Sequence, residues 1–153
     1  MAQISALCPS AVLLAANWPA YPERLAQLDE TIRELHRRGI ANIVVAGPVP
    51  QWSGGLPHSL YFYHNTYPGA QMPLRTQFRL FLDIRDIDRS LAANVLRNGA
   101  RYVSLWDTLC NAEGCLARLG NSEADLTAFD SSHLTPAGSA YVAVAIVRQF
   151  TAH

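Results

Sequence analysis

The sequence contains no lysine and carries no net charge. Its basic residues are all arginine, and twelve arginines balance twelve acidic residues. A neutral chain lacks the basic field that holds nucleic-acid phosphates, so we expect no nucleic acid among its partners. No apolar run reaches the roughly 18 residues that would span a bilayer. Since half of the 153 residues are hydrophobic, we predict one globular domain over residues 1–153.

Cysteine is also scarce, and its spacing does not suggest a metal site. The three cysteines leave at least one thiol unpaired. Cys110 and Cys115, in "LCNAEGC", lie close enough in sequence to close a small loop in an oxidising compartment. Cys8, near an apolar strand, is interpreted as a buried free thiol. No second pair of cysteines or histidines accompanies them, so we predict no metal, and we expect no cofactor.

Apolar runs alternate with helical patterns along the chain, which is typical of an α/β fold. The runs "AVLLAAN" (11–17), "IANIVVAG" (40–47) and "RYVSLW" (101–106) are predicted as strands. Helices are predicted over 21–39, over about 75–98 and from Pro136 onward. The first two carry apolar residues at gaps of three and four: Leu25, Leu28, Ile32 and Leu35, then Ile84, Ile87, Leu91 and Val95.

Helix ends are marked by residues that suit them. Pro22 suits a first turn, and Gly39 and Gly99 suit the ends of the first two helices. Thr135 is predicted to cap the last helix, which begins at Pro136. That helix is apolar nearly all round, so we expect it to be buried against the sheet.

The alternation of strands and helices predicts a parallel sheet with its working crevice beyond the carboxyl ends of the strands. Asn17 and Gly47 stand at the carboxyl ends of the first two predicted strands, and Trp106 and Asp107 at that of the third. The segment that carries His133 leads into the last helix, which must start near the same edge. The topology therefore predicts that Asn17 and His133 lie on one side of the sheet.

The connection between Gly47 and the second helix is unusually long and rich in aromatic residues. Connections beyond about 15 residues are uncommon unless they are functional or internally structured. We predict that this loop, with Trp52, Tyr61 and Tyr63, walls a pocket or covers it as a lid. The alternative is a surface excursion whose aromatic side chains pack on the body of the domain.

The stretch "TAFDSSHLTPAG" (127–138) places a carboxylate and an imidazole three residues apart. If Asp130 accepts the Nδ1 proton of His133, it fixes the tautomer and leaves the second ring nitrogen as a general base. The alternatives are an ordinary histidine beside a helix-entry aspartate, and a metal site that lacks a third ligand.

Four ordered stretches carry a family resemblance: "LLAANW", "VVAGPVPQW", "RYVSLWDTLCNAEGC" and "FDSSHLTPAGSAYVA". Together they resemble the SGNH hydrolase superfamily, and most closely the SGNH domain fused to membrane acyltransferases of the acyltransferase-3 family. The likeness runs from about Pro9 to Val147. It implies a three-layer α/β/α sandwich with a parallel, flavodoxin-like sheet. It also implies transfer of acyl groups such as acetyl onto bacterial surface glycans, in a periplasmic or other extracytoplasmic compartment if a longer parent chain carries this domain.

The resemblance assigns roles to individual residues. Asp130 and His133 match the acid and the base of the family's catalytic triad, and Asn17 matches its oxyanion-hole asparagine. Cys110 and Cys115 match a cysteine pair of this branch, which implies a disulfide. The sequence "AANW" departs from the Gly-x-Asn-Asp of the wider superfamily, which leaves the neighbours of Asn17 without assigned roles.

The family's nucleophile is the serine of a Gly-Asp-Ser motif, and this sequence contains no such motif. Ser53, Ser131 and Ser132 do not occupy the strand-to-helix turn that would present an oxygen to His133. We therefore expect a domain that is incomplete at its N-terminus, lacks the first strand or strands of the fold and is inactive alone. The run 11–16 would then be an edge strand, which predicts a homodimer or a higher assembly joined through it, or else poor solubility.

Three functional hypotheses follow. The first is a portion of a carbohydrate O-acyltransferase or esterase that acts on an acylated carbohydrate or acyl donor, with a membrane acyltransferase domain in the parent chain. The second is a non-catalytic remnant that binds a glycan or a partner through the aromatic loop. The third, a flavodoxin-like nucleotide binder, lacks a glycine-rich phosphate loop at a strand end.

Overall fold

The computed structural model describes residues 9–20, 23–120, 122 and 125–151. Cys8 and Pro22, which the sequence singled out, lie outside this set. The elements, in chain order, are β1 (Ala11–Leu14), α1 (Glu23–Arg37), β2 (Asn42–Ala46), α2 (Leu56–Thr66), β3 (Arg75–Thr76), α3 (Asp83–Arg97), β4 (Arg101–Val103), α4 (Leu105–Leu109), β5 (Cys110–Asn111), β6 (Gly114–Leu116) and α5 (Pro136–Thr151).

The main sheet is parallel, and its strands run in the order β1-β2-β4. Val12 is in register with Ile43, and Val45 with Tyr102. Parallel neighbours need crossover connections, and α1 and α3 supply them. The predicted α/β fold with a parallel sheet is therefore confirmed.

Helices cover both faces of this sheet. Side chains alternate along β2, so each face of the strand presents its own apolar residues to the helices that cover it. Ile43 and Val45 pack in one core cluster with residues of α1 and α3: Leu28, Ile32, Leu35, Leu91 and Val95. Val44 and Ala46 point the other way and pack with Val142 of α5. The apolar faces predicted for the first two helices are thus the faces that build the core.

Three predicted elements differ from the observed ones, and the first is the strand expected over 11–17, which ends at Leu14. The helix expected from about residue 75 begins at Asp83, because 75–76 form β3 instead. The strand expected over 101–106 ends at Val103, because the Ser104 hydroxyl accepts a hydrogen bond from the Asp107 N–H at 2.8 Å and starts α4. The long connection 48–74 contains α2, so it is internally structured.

Helix α5 begins at Pro136 as predicted, but it is not buried all round. The Thr135 hydroxyl accepts a hydrogen bond from the Gly138 N–H at 3.0 Å, which caps the helix. Tyr141, Val144 and Val147 remain exposed on its outer face. Among the described helices, none is long and apolar enough to cross a membrane.

A second, antiparallel sheet joins β3, β6 and β5 in that order. A disulfide between Cys110 and Cys115 links β5 to β6. The chain beyond β3 then forms an isolated bridge between Leu80 and Trp52. The small sheet therefore supports the segment that follows β2 at the carboxyl edge of the main sheet.

Candidate active site

Asp130 and His133 form a braced pair within a single turn. The Asp130 Oδ2 lies 2.7 Å from the His133 Nδ1. The other carboxylate oxygen accepts hydrogen bonds from the backbone N–H groups of Ser132 and His133, both at 2.8 Å. A carboxylate that accepts the Nδ1 proton leaves Nε2 as the unprotonated ring nitrogen.

The electrostatics of Asp130 favour its ionised form. Burial opposes ionisation, but hydrogen bonds from the N–H groups of Ser132 and His133 and from the imidazole outweigh it. Together they hold the pKa of Asp130 below its ordinary value of 3.8. The carboxylate therefore stays charged and orients the ring at neutral pH.

The loop that carries the pair is anchored to the small sheet. The buried Thr127 hydroxyl donates to the Leu116 carbonyl of β6 at 2.6 Å. The Thr135 N–H returns to the Thr127 carbonyl at 3.0 Å, so the loop between them is closed. Helix α5 packs directly beneath, because a side chain on Gly138 would overlap the Thr127 carbonyl.

Phe129 lies against the imidazole. Its ring is nearly parallel to that of His133, with an interplanar angle of 14° and centroids 5.7 Å apart. Its N–H donates to the His133 carbonyl at 3.1 Å. The stack limits ring rotation from one side, and Asp130 fixes the ring at Nδ1. Sequence reasoning did not single out Phe129.

Asn17 lies just beyond β1, in a turn locked to the end of β2. The Ala20 N–H donates to the Asn17 carbonyl at 3.2 Å. The neighbouring Trp18 is 5% exposed, and its indole N–H donates to the Ala46 carbonyl at 2.8 Å. The Asn17 side-chain oxygen accepts a hydrogen bond from the Gln51 Nε2 at 3.1 Å. The Asn17 amide nitrogen is then the group left to donate elsewhere.

Asn17 and His133 line one cleft of about 490 Å³, together with Gly47, Gln51, Phe129 and Ser139. The topology predicted that Asn17 and His133 lie on one side of the sheet, and both residues border this cleft. A base and an amide donor that share one cleft can act on the same bound carbonyl group.

The floor of the cleft requires a glycine. A Cβ on Gly47 would overlap the Tyr102 hydroxyl and the Asp88 carboxylate. The Asp88 carboxylate, which is buried, accepts hydrogen bonds from the Tyr102 hydroxyl at 2.7 Å and from the Ser104 hydroxyl at 2.8 Å. Burial raises the pKa of Asp88 against these two hydrogen bonds. This polar cluster lies under the cleft rather than in it.

The three aromatic residues that the sequence singled out in the long connection do not form one wall. Trp52 is only 2% exposed and belongs to a core cluster, so it is not part of a substrate-facing loop. Tyr63 is half-buried and packs on Tyr67 and Phe78. Tyr61 is 63% exposed and borders a second cavity of about 520 Å³ with Met72. Of these three residues, Tyr61 alone is both exposed and beside a cavity, as a ligand-binding residue must be.

Two of the serines considered as substitutes for the nucleophile, Ser53 and Ser132, make contacts away from Nε2. The Ser132 hydroxyl lies 3.5 Å from Nδ1, the ring nitrogen that Asp130 holds. The Ser53 hydroxyl accepts a hydrogen bond from the Arg79 guanidinium at 3.1 Å. Within the described part of the chain, no cluster of three or more histidine, cysteine, aspartate or glutamate side chains could hold a metal ion.

Comparison with known proteins places the chain in a family. Residues 1–148 match the family described as "SGNH domain (fused to AT3 domains)", and the chain belongs to it. No curated protein matches the chain.

The chain is also similar to a solved structure, the periplasmic domain of a lipopolysaccharide acetyltransferase from Salmonella ser. Paratyphi A. The two share 28% identity with a TM-score of 0.85 over 95% of this chain. This chain spans 60% of the length of that one.

Proposed function

We propose that this chain supplies three groups of a serine-dependent carbohydrate O-acyltransferase or esterase: the triad carboxylate Asp130, the base His133 and the oxyanion donor Asn17. The observation that carries the proposal is the single cleft lined by His133 and Asn17, with Asp130 bonded to the far side of the imidazole. Membership in the SGNH family and similarity to a lipopolysaccharide acetyltransferase domain support the same chemistry.

The proposed reaction has two half-reactions. A serine hydroxyl supplied by a Gly-Asp-Ser segment attacks the acyl carbonyl while His133 takes its proton at Nε2. The Asn17 amide donates to the oxyanion, and the imidazolium returns its proton to the leaving group. A sugar hydroxyl or water then attacks the acyl-serine and gives its proton to His133, which passes a proton to the departing serine oxygen and so regenerates the serine hydroxyl and the neutral imidazole. Asp130 remains ionised throughout and orients the ring.

The similar solved structure and the disulfide both support a compartment outside the cytoplasm. The similar Salmonella domain is periplasmic. The disulfide between Cys110 and Cys115 suits an oxidising compartment. We propose an extracytoplasmic domain that belongs with an acyltransferase-3 membrane domain and acts on surface carbohydrate.

The test joins a Gly-Asp-Ser segment of a family member ahead of residue 1 and measures hydrolysis of an acetyl ester. The chain without the segment should show about a millionfold less turnover, as expected when a triad lacks its nucleophile. In the active fusion, His133→Ala should abolish turnover, whereas His64→Ala, at an exposed position on α2, should leave it unchanged. Unchanged turnover in His133→Ala would exclude the proposed role of His133.

A second function has one observation in its favour, the exposed Tyr61 beside its own cavity. Exposed aromatic rings suit the apolar faces of sugars, so a non-catalytic glycan-binding domain is the competing proposal. Binding of an acetylated oligosaccharide to the chain, lost in Tyr61→Ala and retained in His133→Ala, would favour this function over catalysis.

A further inference from the structure

We propose that Gln51 is a positioning residue that orients the Asn17 carboxamide, so that its NH₂ group rather than its oxygen faces the cleft. The Gln51 Nε2 donates to the Asn17 Oδ1 at 3.1 Å across 34 residues of sequence. Both side chains border the cleft that contains His133. The orientation is a property of the chain itself, and its catalytic consequence rests on the function proposed above.

The side-chain amide of asparagine is nearly symmetric in shape. Rotating the Asn17 side-chain amide by 180° exchanges an acceptor oxygen for a donor nitrogen without changing its shape, so only its hydrogen-bond partner selects one orientation. An oxyanion is stabilised by the nitrogen and repelled by the oxygen. A donor on the opposite side of Asn17 therefore decides whether this residue helps the reaction or opposes it.

The backbone of Gln51 is held in place by a neighbouring segment. Its carbonyl accepts a hydrogen bond from the Phe81 N–H at 2.9 Å. The next residue, Trp52, is buried and bridges to Leu80, and the Ser53 N–H donates to the Arg79 carbonyl at 2.9 Å. The backbone of residues 51–53 is thus fixed, and with it the donor side of the Gln51–Asn17 hydrogen bond.

The turn that carries Asn17 is anchored as well. The buried Trp18 indole ties the Asn17 turn to the Ala46 carbonyl at the end of β2. The Gln51–Asn17 hydrogen bond therefore joins two segments whose backbones are anchored. This preorganisation is what an oxyanion donor requires, because reorientation during the reaction would cost part of its stabilising effect.

Two substitutions separate orientation from simple contact. In Gln51→Glu the ionised carboxylate can only accept, so it should draw the Asn17 NH₂ group to itself and turn the Asn17 oxygen into the cleft. In Gln51→Met the partner is removed without imposing the reversed orientation. Gln77→Glu is the matched control, because the Gln77 Nε2 donates to the Ala112 carbonyl outside the cleft.

The first measurement uses the chain as it exists. At pH 7, NMR should show the Asn17 side-chain NH₂ protons exchanging freely with water in the wild type and in Gln77→Glu. In Gln51→Glu these protons should be protected from exchange and shifted downfield by the carboxylate. Protection of the Asn17 protons already in the wild type, or no change in Gln51→Glu, would overturn the proposal.

The second measurement uses the Gly-Asp-Ser fusion described above, once the wild-type fusion is shown to hydrolyse an acetyl ester. Loss of one oxyanion donor lowers kcat by about 10²–10³-fold, so Gln51→Glu should fall in this range with KM nearly unchanged. The kcat of Gln51→Met should fall much less, and the kcat of Gln77→Glu should be unchanged.

Equal losses in Gln51→Glu and Gln51→Met, or losses confined to KM, would contradict a role in orienting Asn17. An inactive wild-type fusion would count against the proposed function alone, because the NMR measurement decides the orientation independently.

Discussion

At the scale of single residues, Asp130 is the most heavily bonded group of the site. One of its oxygens accepts two backbone N–H groups, and the other accepts the imidazole. The side chain is nevertheless 42% exposed, and that of His133 is 68% exposed. The orientation of His133 by Asp130 therefore depends on hydrogen-bond geometry rather than on exclusion of water.

The pH dependence of Asp130 follows from its lowered pKa. Its folded-state pKa lies below the ordinary value of 3.8, so the carboxylate stabilises the fold above that pH. This contribution should be lost as pH falls through the lower, folded-state pKa. Carboxyl carbon NMR should give a titration midpoint below 3.8. The unfolding free-energy difference between wild type and Asp130→Asn should shrink as pH falls through that midpoint.

The control for the loss of one negative charge is Asp86→Asn, at an exposed position on α3. A titration midpoint for Asp130 at or above 3.8 would mean that the hydrogen bonds do not stabilise the ionised form in solution.

At the scale of elements, the small antiparallel sheet supports both halves of the site. Through β6 it holds Thr127 and hence the loop of Asp130 and His133. Through the chain that follows β3 it holds the segment of Gln51. The disulfide between Cys110 and Cys115 closes the hairpin of β5 and β6 on which this support depends.

Removing that disulfide should destabilise the whole domain. Closing a loop with a sequence separation of five stabilises a fold by about 2 kcal/mol through the entropy of the unfolded chain. The double variant Cys110→Ala/Cys115→Ala should therefore unfold in urea with a free energy lower by about that amount.

Reduction of the wild type should reproduce most of this loss, and the reductant should have no effect on the double variant. Equal stability of oxidised and reduced wild type would show that the hairpin is held without its covalent link.

At the scale of the whole molecule, β1 is at the edge of the main sheet within the described residues. Leu13 on this strand is 44% exposed. An edge strand with unpaired backbone groups and an exposed leucine favours pairing with another chain. The exposed edge supports association through residues 11–16, and the homodimer stays a prediction.

Light scattering should show a mass that rises with concentration from 16.8 kDa toward twice that value. Leu13→Arg should weaken this association at least about tenfold, because it places a charge in an apolar contact. Leu96→Arg, at a 61% exposed position on α3, is the matched control and should not change the mass. A wild-type monomer at all concentrations would exclude the dimer.

The sequence predicted the parts of the molecule that repeat a pattern. The spacing of Leu28, Ile32 and Leu35 predicted a buried helix face, and the order of strands and helices predicted that Asn17 and His133 lie on one side of the sheet. It did not predict β3, because two residues are too few for a pattern. The burial of Trp52 and the contact of Gln51 with Asn17 were also missed, because both depend on neighbours distant in sequence.

The turn from Asp130 to His133 is also a self-contained piece of chemistry. Carboxylate, imidazole and the two amides that steady them come from four consecutive positions. Because the hydrogen bonds within this turn are local, the geometry of the carboxylate and the imidazole is set by the turn itself, and the rest of the domain supplies the place where the turn sits.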